Sequence, residues 1–268
     1  MSCINKIFKS SLLILSILLF YFHPIYPQNG NIKFENISTR DGLSQSSPNC
    51  IFQDSRGLLW VGTEDGLNKY DGYTFTVYKP EINDPASISN NRIKCITESE
   101  EGNLWIGTNG GGLNEYIRKL DIFTRFTGFD SSRFNQEIIN CLYEDQDGIL
   151  WVCTSAGLVK IDMNEKKITT YTNDPFISNS LCDNLISSII QDKPGFLWIG
   201  TRKGLNRMNT DKGTFTCYLS DPEDEKSLSN SQITCFLRDH TNALWIGTAG
   251  GWGILAAPLK HKWNCCSS

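Results

Sequence analysis

Asp54-Ser55-Arg56-Gly57-Leu58-Leu59-Trp60-Val61-Gly62-Thr63 decides the fold, because its second half returns four times along the 268-residue chain. The copies read Leu104-Trp105-Ile106-Gly107-Thr108, Leu150-Trp151-Val152-Cys153-Thr154, Leu197-Trp198-Ile199-Gly200-Thr201 and Leu244-Trp245-Ile246-Gly247-Thr248. The tryptophans, at 60, 105, 151, 198 and 245, keep a nearly fixed period. A period of that length marks a repeat array rather than one indivisible unit.

The register extends well beyond the tryptophan. Ten residues before it stand Cys50, Cys95, Cys141, Ser188 and Cys235, each followed by a bulky apolar residue. Three before it stand Gly57, Gly102, Gly148, Gly195 and Asn242, residue types that tolerate positive φ. With Asp54, Ser99, Asp145, Asp192 and Asp239 three residues earlier, each repeat carries a turn between two short strands. A second turn, at Gly66, Gly111, Gly157, Gly204 and Gly251, leads into a third apolar segment (67–70, 113–116, 158–161, 205–208). A fourth, rich in β-branched and aromatic residues, closes the unit (74–78, 122–126, 167–171, 214–218). Four short strands per repeat without helical periodicity specify an all-β fold, a β-propeller of four-stranded blades. Strands one and two are nearly continuously apolar, as expected of sheets covered on both faces. The five tryptophans therefore read as packing between blades rather than as ligand-stacking platforms.

The string from Asp54 to Asp71 strongly resembles the two-component regulator propeller repeat, and the resemblance runs from about Ile32 to Gly251. It implies the extracytoplasmic sensor region of a hybrid two-component system of the Bacteroidetes type. In that family two seven-bladed propellers precede a further β-domain, a membrane span, a histidine kinase and a response regulator with a DNA-binding output. The full-length sensor is expected to act as a homodimer. Seven blades need roughly 320 residues, and after Gly251 the pattern gives way to Trp252-Gly253-Ile254-Leu255-Ala256-Ala257-Pro258. The chain thus reads as a partial propeller, a truncated or frame-disrupted version of a longer sensor. Five closed blades are the competing reading, with Ile32 to Ser38 supplying the fourth strand of the last one; an open arc or a strained ring is preferred.

Three regions follow. Lys6 and Lys9 precede the apolar run Leu12 to Phe22, broken by Pro24 and Pro27, so residues 1–28 are expected to be an export signal and the protein periplasmic. Any membrane attachment comes from that signal left uncleaved or from a segment downstream. Residues 29–256 hold the repeats and 257–268 an aberrant tail. Although the chain has ten cysteines, Cys50, Cys95, Cys141 and Cys235 occupy one register in different blades. Facing sheets lie about 10 Å apart, whereas a disulfide needs Cα atoms within about 7 Å, so these four are expected to be reduced, buried core fillers.

A net charge of −4 with mixed signs offers no basic stripe for nucleic acid. The three histidines, His23, His240 and His261, suit no triad. No phosphate-binding, dinucleotide or metal motif occurs, and Asp145-Gln146-Asp147-Gly148 reads as a tight turn rather than a calcium loop. No cofactor, metal or catalytic residue is expected. Function then falls to the loops. Connections between strands two and three, and between consecutive blades, are expected on one face around the channel. The first set varies within a fixed frame: Glu64-Asp65, Asn109-Gly110, Ser155-Ala156, Arg202-Lys203 and Ala249-Gly250. The second is polar and amide-rich, as in Gln45-Ser46, Asn90-Asn91-Arg92, Asn135-Gln136, Asp183-Asn184 and Asn230-Ser231-Gln232. Such groups suit a hydroxyl-rich ligand, an oligosaccharide. The candidate ligand-binding residues are Glu64, Asp65, Arg92, Asn109, Arg202 and Lys203. A propeller lyase or glycosidase, or a protein-interaction scaffold, is the alternative, and Glu64 with Asp65, the acidic pair on this face, is expected to point apart.

Overall fold

The computed structural model describes residues 34–129 and 137–255. The expected export signal and tail, and Asn135 and Gln136, lie outside them. Four blades have four antiparallel strands each, in sequential order. Blade 1 is β1 (Pro48–Gln53), β2 (Leu59–Thr63), β3 (Gly66–Tyr70) and β4 (Phe75–Tyr78); blade 2 is β5 (Ile93–Glu98), β6 (Leu104–Thr108), β7 (Leu113–Ile117) and β8 (Ile122–Phe126). Blade 3 is β9 (Ile139–Glu144), β10 (Ile149–Thr154), β11 (Gly157–Asp162) and β12 (Lys167–Tyr171); blade 4 is β13 (Ile186–Lys193), β14 (Phe196–Thr201), β15 (Leu205–Asn209) and β16 (Thr214–Tyr218). Blade 5 has three described strands, β17 (Ile233–Arg238), β18 (Leu244–Thr248) and β19 (Gly251–Leu255). The strands match the segments expected from the repeat to within a residue or two. No helix among the described residues is long and apolar enough to cross a membrane.

Alternation along the second strand explains the stacking. Leu104 and Ile106 point back to blade 1 and share a core with Trp60, while Trp105 points forward to Leu150 and Val152 of blade 3. Trp60, Trp105, Trp151 and Trp198 are all buried. First strands pack in succession, β1 on β5, β5 on β9, β9 on β13 and β13 on β17. No packing of comparable extent joins β17 to β1. The end faces are accordingly bare, with Ile51 of blade 1 66% and Leu237 of blade 5 63% exposed, so the blades form an arc. The strand expected over Ile32 to Ser38 is not found over its described part. Instead the Ser38 hydroxyl accepts the Arg40 amide at 3.2 Å and the Asp41 carboxylate accepts the Ser38 amide at 2.8 Å. This capping box starts a 3-10 turn, Thr39–Asp41, and diverts the backbone from strand pairing.

The aspartate six residues before the tryptophan does more than turn the chain. One oxygen of Asp145 accepts the amides of Asp147 and Ile149 at 3.1 and 3.0 Å, while the other accepts the Trp151 ring N–H at 2.7 Å. Asp54 with Trp60 and Asp239 with Trp245 repeat the arrangement. In blade 2, where Ser99 replaces the aspartate, the Trp105 ring N–H turns to Glu144 of blade 3. Blade 4 departs from the expected turn. There β13 runs on to pair Lys193 with Phe196, leaving Pro194-Gly195 as a two-residue loop with Gly195 at φ 77°, the Pro-Gly pattern of a type II turn. Asp192 is thereby carried into the strand, where it takes Arg207 at 2.7 Å, and Trp198 Nε1 is left without a partner.

The glycine two residues after the tryptophan in blades 1, 2, 4 and 5 fits a close approach, whereas blade 3 holds a buried Cys153 there. A Cβ on Gly107 would lie 2.4 Å from Cys95 Sγ and 2.6 Å from Ile139 Cγ2 of the next blade. Gly107→Ala is expected to cost about 1–3 kcal/mol in urea unfolding. Gly247→Ala should cost less, because its Cβ would meet Cys235 and Thr234 but no following isoleucine. Equal losses would count against that assignment.

Candidate functional site on the channel face

Both loop sets emerge on one face, as expected. The residue opening each second loop donates its amide to the segment that enters the first strand: Asn109 to Arg92, Ser155 to Ile138, Arg202 to Leu185 and Ala249 to Gln232. These bonds extend each β1–β2-type ladder by one rung and hold the loops around the channel.

Inside that rim the first strands present the residue preceding the register cysteine. Asn49 donates its amide to the Ile93 carbonyl at 3.0 Å, Asn140 to Ile186 at 3.1 Å, and the Ser187 hydroxyl to Ile233 at 2.8 Å. Each links a blade to the next. Blade 2 places Lys94 at this position. A cavity of about 400 Å³ lies among them, lined by Asn49, Lys94, Asn140, Leu185, Ile186, Ser187, Arg202, Gln232 and Ile233. Among the described residues neither Lys94 nor Arg202 has a carboxylate partner within ion-pair distance.

The six candidate residues separate into groups. Arg202 lines the cavity. Glu64 and Arg92 sit together at its rim, 3.1 Å apart across blades 1 and 2, and Asn49 donates to Glu64 at 2.8 Å. Asp65 points away from Glu64, as expected, toward Lys79 at 2.6 Å and Asn91 at 3.2 Å. The Lys79 contact, then the Asn91 amide, hold its carboxyl below the usual carboxylate range. Asn109 forms an isolated bridge with Ile138, and Lys203 is exposed, its amide on the Thr201 hydroxyl. Neither is among the cavity-lining residues. Reading the loops alone missed Asn49, Lys94, Asn140 and Ser187. The available signal was a polar residue before the cysteine or serine of every repeat, inside otherwise apolar strands.

The register cysteines lie beside this channel as free thiols, and burial pushes the Cys50 thiol up to about 11. The expectation that all four are buried needs correction. Cys50, Cys95 and Cys141 are half-buried, and Cys235 is exposed, no blade among the described residues covering its face. The turn Asp145 to Gly148 is a tight turn held on the Trp151 ring. Among the described residues no group of three or more His, Cys, Asp or Glu side chains is placed to hold a metal ion.

Comparison with known proteins agrees with this architecture. The profile of the family described as two component regulator propeller matches residues 42–65, 87–110, 133–156, 180–203 and 227–250. A histidine kinase of Formosa agariphila is 50% identical over 78 residues, a stretch covering 28% of this chain and 6% of the kinase. The extracellular domain of a hybrid two component system from B. thetaiotaomicron superposes with a TM-score of 0.72 at 24% identity, over 86% of this chain and 31% of that one. Virginiamycin B lyase from Staphylococcus aureus superposes at 0.59 with 15% identity, over 88% of this chain and 74% of the lyase. The two structural likenesses are of fold, and the chain spans less than a third of the sensor domain.

Proposed function

Because this chain belongs to the two component regulator propeller family, we propose that it is an extracytoplasmic ligand-sensing module whose ligand is an oligosaccharide held in the channel cavity. The observation that carries the reading is the cavity wall. Gln232 offers a carboxamide donor and acceptor, Asn140 its oxygen and the N–H not given to Ile186, and Asn49 its oxygen, while Lys94 and Arg202 add two cations with no carboxylate partner among the described residues. Amides suit the hydroxyls of a sugar, and the cations favour one bearing a carboxylate or sulfate. Within a longer protein the bound state would be relayed through dimer contacts to a kinase. The likeness to extracellular sensor domains supports a position outside the cytoplasm.

Calorimetry against neutral and acidic oligosaccharides tests this. Lys94→Ala with Arg202→Ala is expected to weaken an acidic ligand by roughly 1.5–3 kcal/mol per lost charged hydrogen bond, with thermal melting unchanged. Arg92→Ala, which frees Glu64 at the rim, should have a smaller effect. Unaltered affinity in the double variant would move the site off this cavity. The lyase reading gains nothing from the rim acids, since Glu64 is tied to Arg92 and Asp65 to Lys79.

A further inference from the structure

Two cysteines outside the shared register meet in blade 4. Cys182 precedes β13 and stands where other repeats have Ser44, Ser89 and Ser229. The structural duty of that position is met by serine. Ser44 and Ser89 donate their amides to Asn68 and Asn114 at 2.8 and 2.9 Å, as Cys182 does to Asn206 at 2.9 Å. Cys217, in β16, pairs with Asn206, at the position held by Val77, Arg125 and Thr170 in blades 1 to 3. Stacking therefore asks for cysteine at neither place, yet the one blade that has the first also has the second. Their side chains converge: a Cβ built on Gly204 would lie 2.8 Å from Cys182 Sγ and 3.1 Å from Cys217 Sγ. Both residues are half-buried, so a small reagent has access.

We propose that Cys182 and Cys217 form a reversible disulfide by exchange with an external disulfide. The Cys182 thiolate attacks one sulfur of the external disulfide and expels one thiolate. Cys217, giving its proton to solvent, then attacks Cys182 Sγ of the mixed disulfide and expels the second. Two protein thiols and one external disulfide become one protein disulfide and two external thiols. The attacking role falls to Cys182 because the neighbouring Cys217 thiol, then the Thr201 hydroxyl 3.5 Å away and Asn206, lower it from the ordinary thiol range. A thiolate is the nucleophile in such exchange. The bond would staple the segment entering β13 to the outermost strand of its blade. Leu185, Ile186 and Ser187, which follow Cys182, line the cavity, so closure would fix one of its walls.

The test uses the full chain equilibrated in glutathione buffers from reducing to oxidising, quenched, alkylated and mapped by mass spectrometry. The expected result is a peptide pair linked through Cys182 and Cys217 that appears as the buffer becomes oxidising and is lost with dithiothreitol. Cys217→Ser should instead accumulate glutathione on Cys182. Cys182→Ser, carrying the residue natural to other blades, should keep the wild-type melting temperature and show no link. The proposal is overturned if Cys182 in the natural chain stops at the glutathione adduct, if it stays a free thiol in the most oxidising buffer, or if another cysteine pair links first.

Discussion

Arg118→Met is expected to lower the free energy of unfolding by about 3–5 kcal/mol at neutral pH, the usual cost of stranding one member of a buried ion pair. Arg118 follows β7 in blade 2, and its side chain is only 5% exposed. Its guanidinium holds Asp54 of blade 1 at 2.6 Å and Glu98 of its own blade at 2.8 Å, and its Nε donates to the Gly102 carbonyl. Asp54 is also the acceptor for the Trp60 ring N–H at 2.8 Å and for the Arg56 and Leu58 amides. One carboxylate thus fastens a turn, a core ring and the neighbouring blade. Burial alone would raise its pKa, but the Trp60 and Arg118 hydrogen bonds, the Leu58 amide and the Arg118 charge outweigh burial and hold it below the usual carboxylate range. A folded pKa below the unfolded value of about 3.9 contributes stability that is fully present above that value and is lost as pH falls through the folded pKa. Urea unfolding should show this acid loss in the natural chain and less of it in Arg118→Met, whose Asp54 has lost its cation. Asp54→Asn with Arg118→Met should cost less than the two single losses together, because the buried Asp54 carboxylate is then no longer stranded, while Glu98 has lost its cation in either background. A loss below about 1 kcal/mol for Arg118→Met would mean that the pair behaves as a solvated one.

Trp151→Ala is expected to cost about 3–5 kcal/mol, the range for removing a large aromatic ring from a core. The ring is fully buried between blades 3 and 4, stacks on Tyr171 with centroids 6.4 Å apart, and carries Lys160 over its face at 5.8 Å. Its core includes Ile186, Leu197 and Ile199 of blade 4. The damage should centre on that interface, since blades interact chiefly with their neighbours. Trp151→Phe keeps most of the ring and removes the N–H that reaches Asp145, so it should cost less; Trp198 already does without such a partner. Trp245→Ala is the control. Trp245 is half-buried and tilted against Trp252, and no blade among the described residues lies over it. A Trp245 loss as large as that at Trp151, by calorimetric or urea unfolding, would overturn inter-blade packing as the source of the effect.

Blade architecture was legible in sequence because its causes are local and repeated. A residue free to take positive φ, such as Gly57 at 85° or Asn242 at 67°, turns the chain wherever it recurs. An apolar run with Trp and Gly on one side and Leu with Ile or Val on the other can only be a strand covered twice. Even the tight turn at Asp145 was readable, since its carboxylate serves amides within the next four residues, those of Asp147 and Ile149. The candidate site was legible as a face, because loop position follows from strand order.

What tertiary structure alone decided are the meetings between residues whose separation in sequence says nothing of their separation in space. Arg118 reaches Asp54 across 64 positions, and no local pattern announces a side chain that crosses between blades. Lys94, on a first strand, and Arg202, on the loop that follows β14, come to one cavity across the blades, whereas Lys203, one residue further, does not line it. Asp192 kept its place in the repeat but lost its tryptophan, since a Pro-Gly loop shifted the pairing of β13. Cys235 kept the register of Cys50 and Cys95 yet lies exposed, because burial in a propeller is conferred by the next blade. The repeat by itself determined what each blade is, through turn chemistry and strand alternation; the packed arc determined which repeated positions are buried, which charges stay unpaired and which thiols meet, because those properties belong to the surfaces between blades.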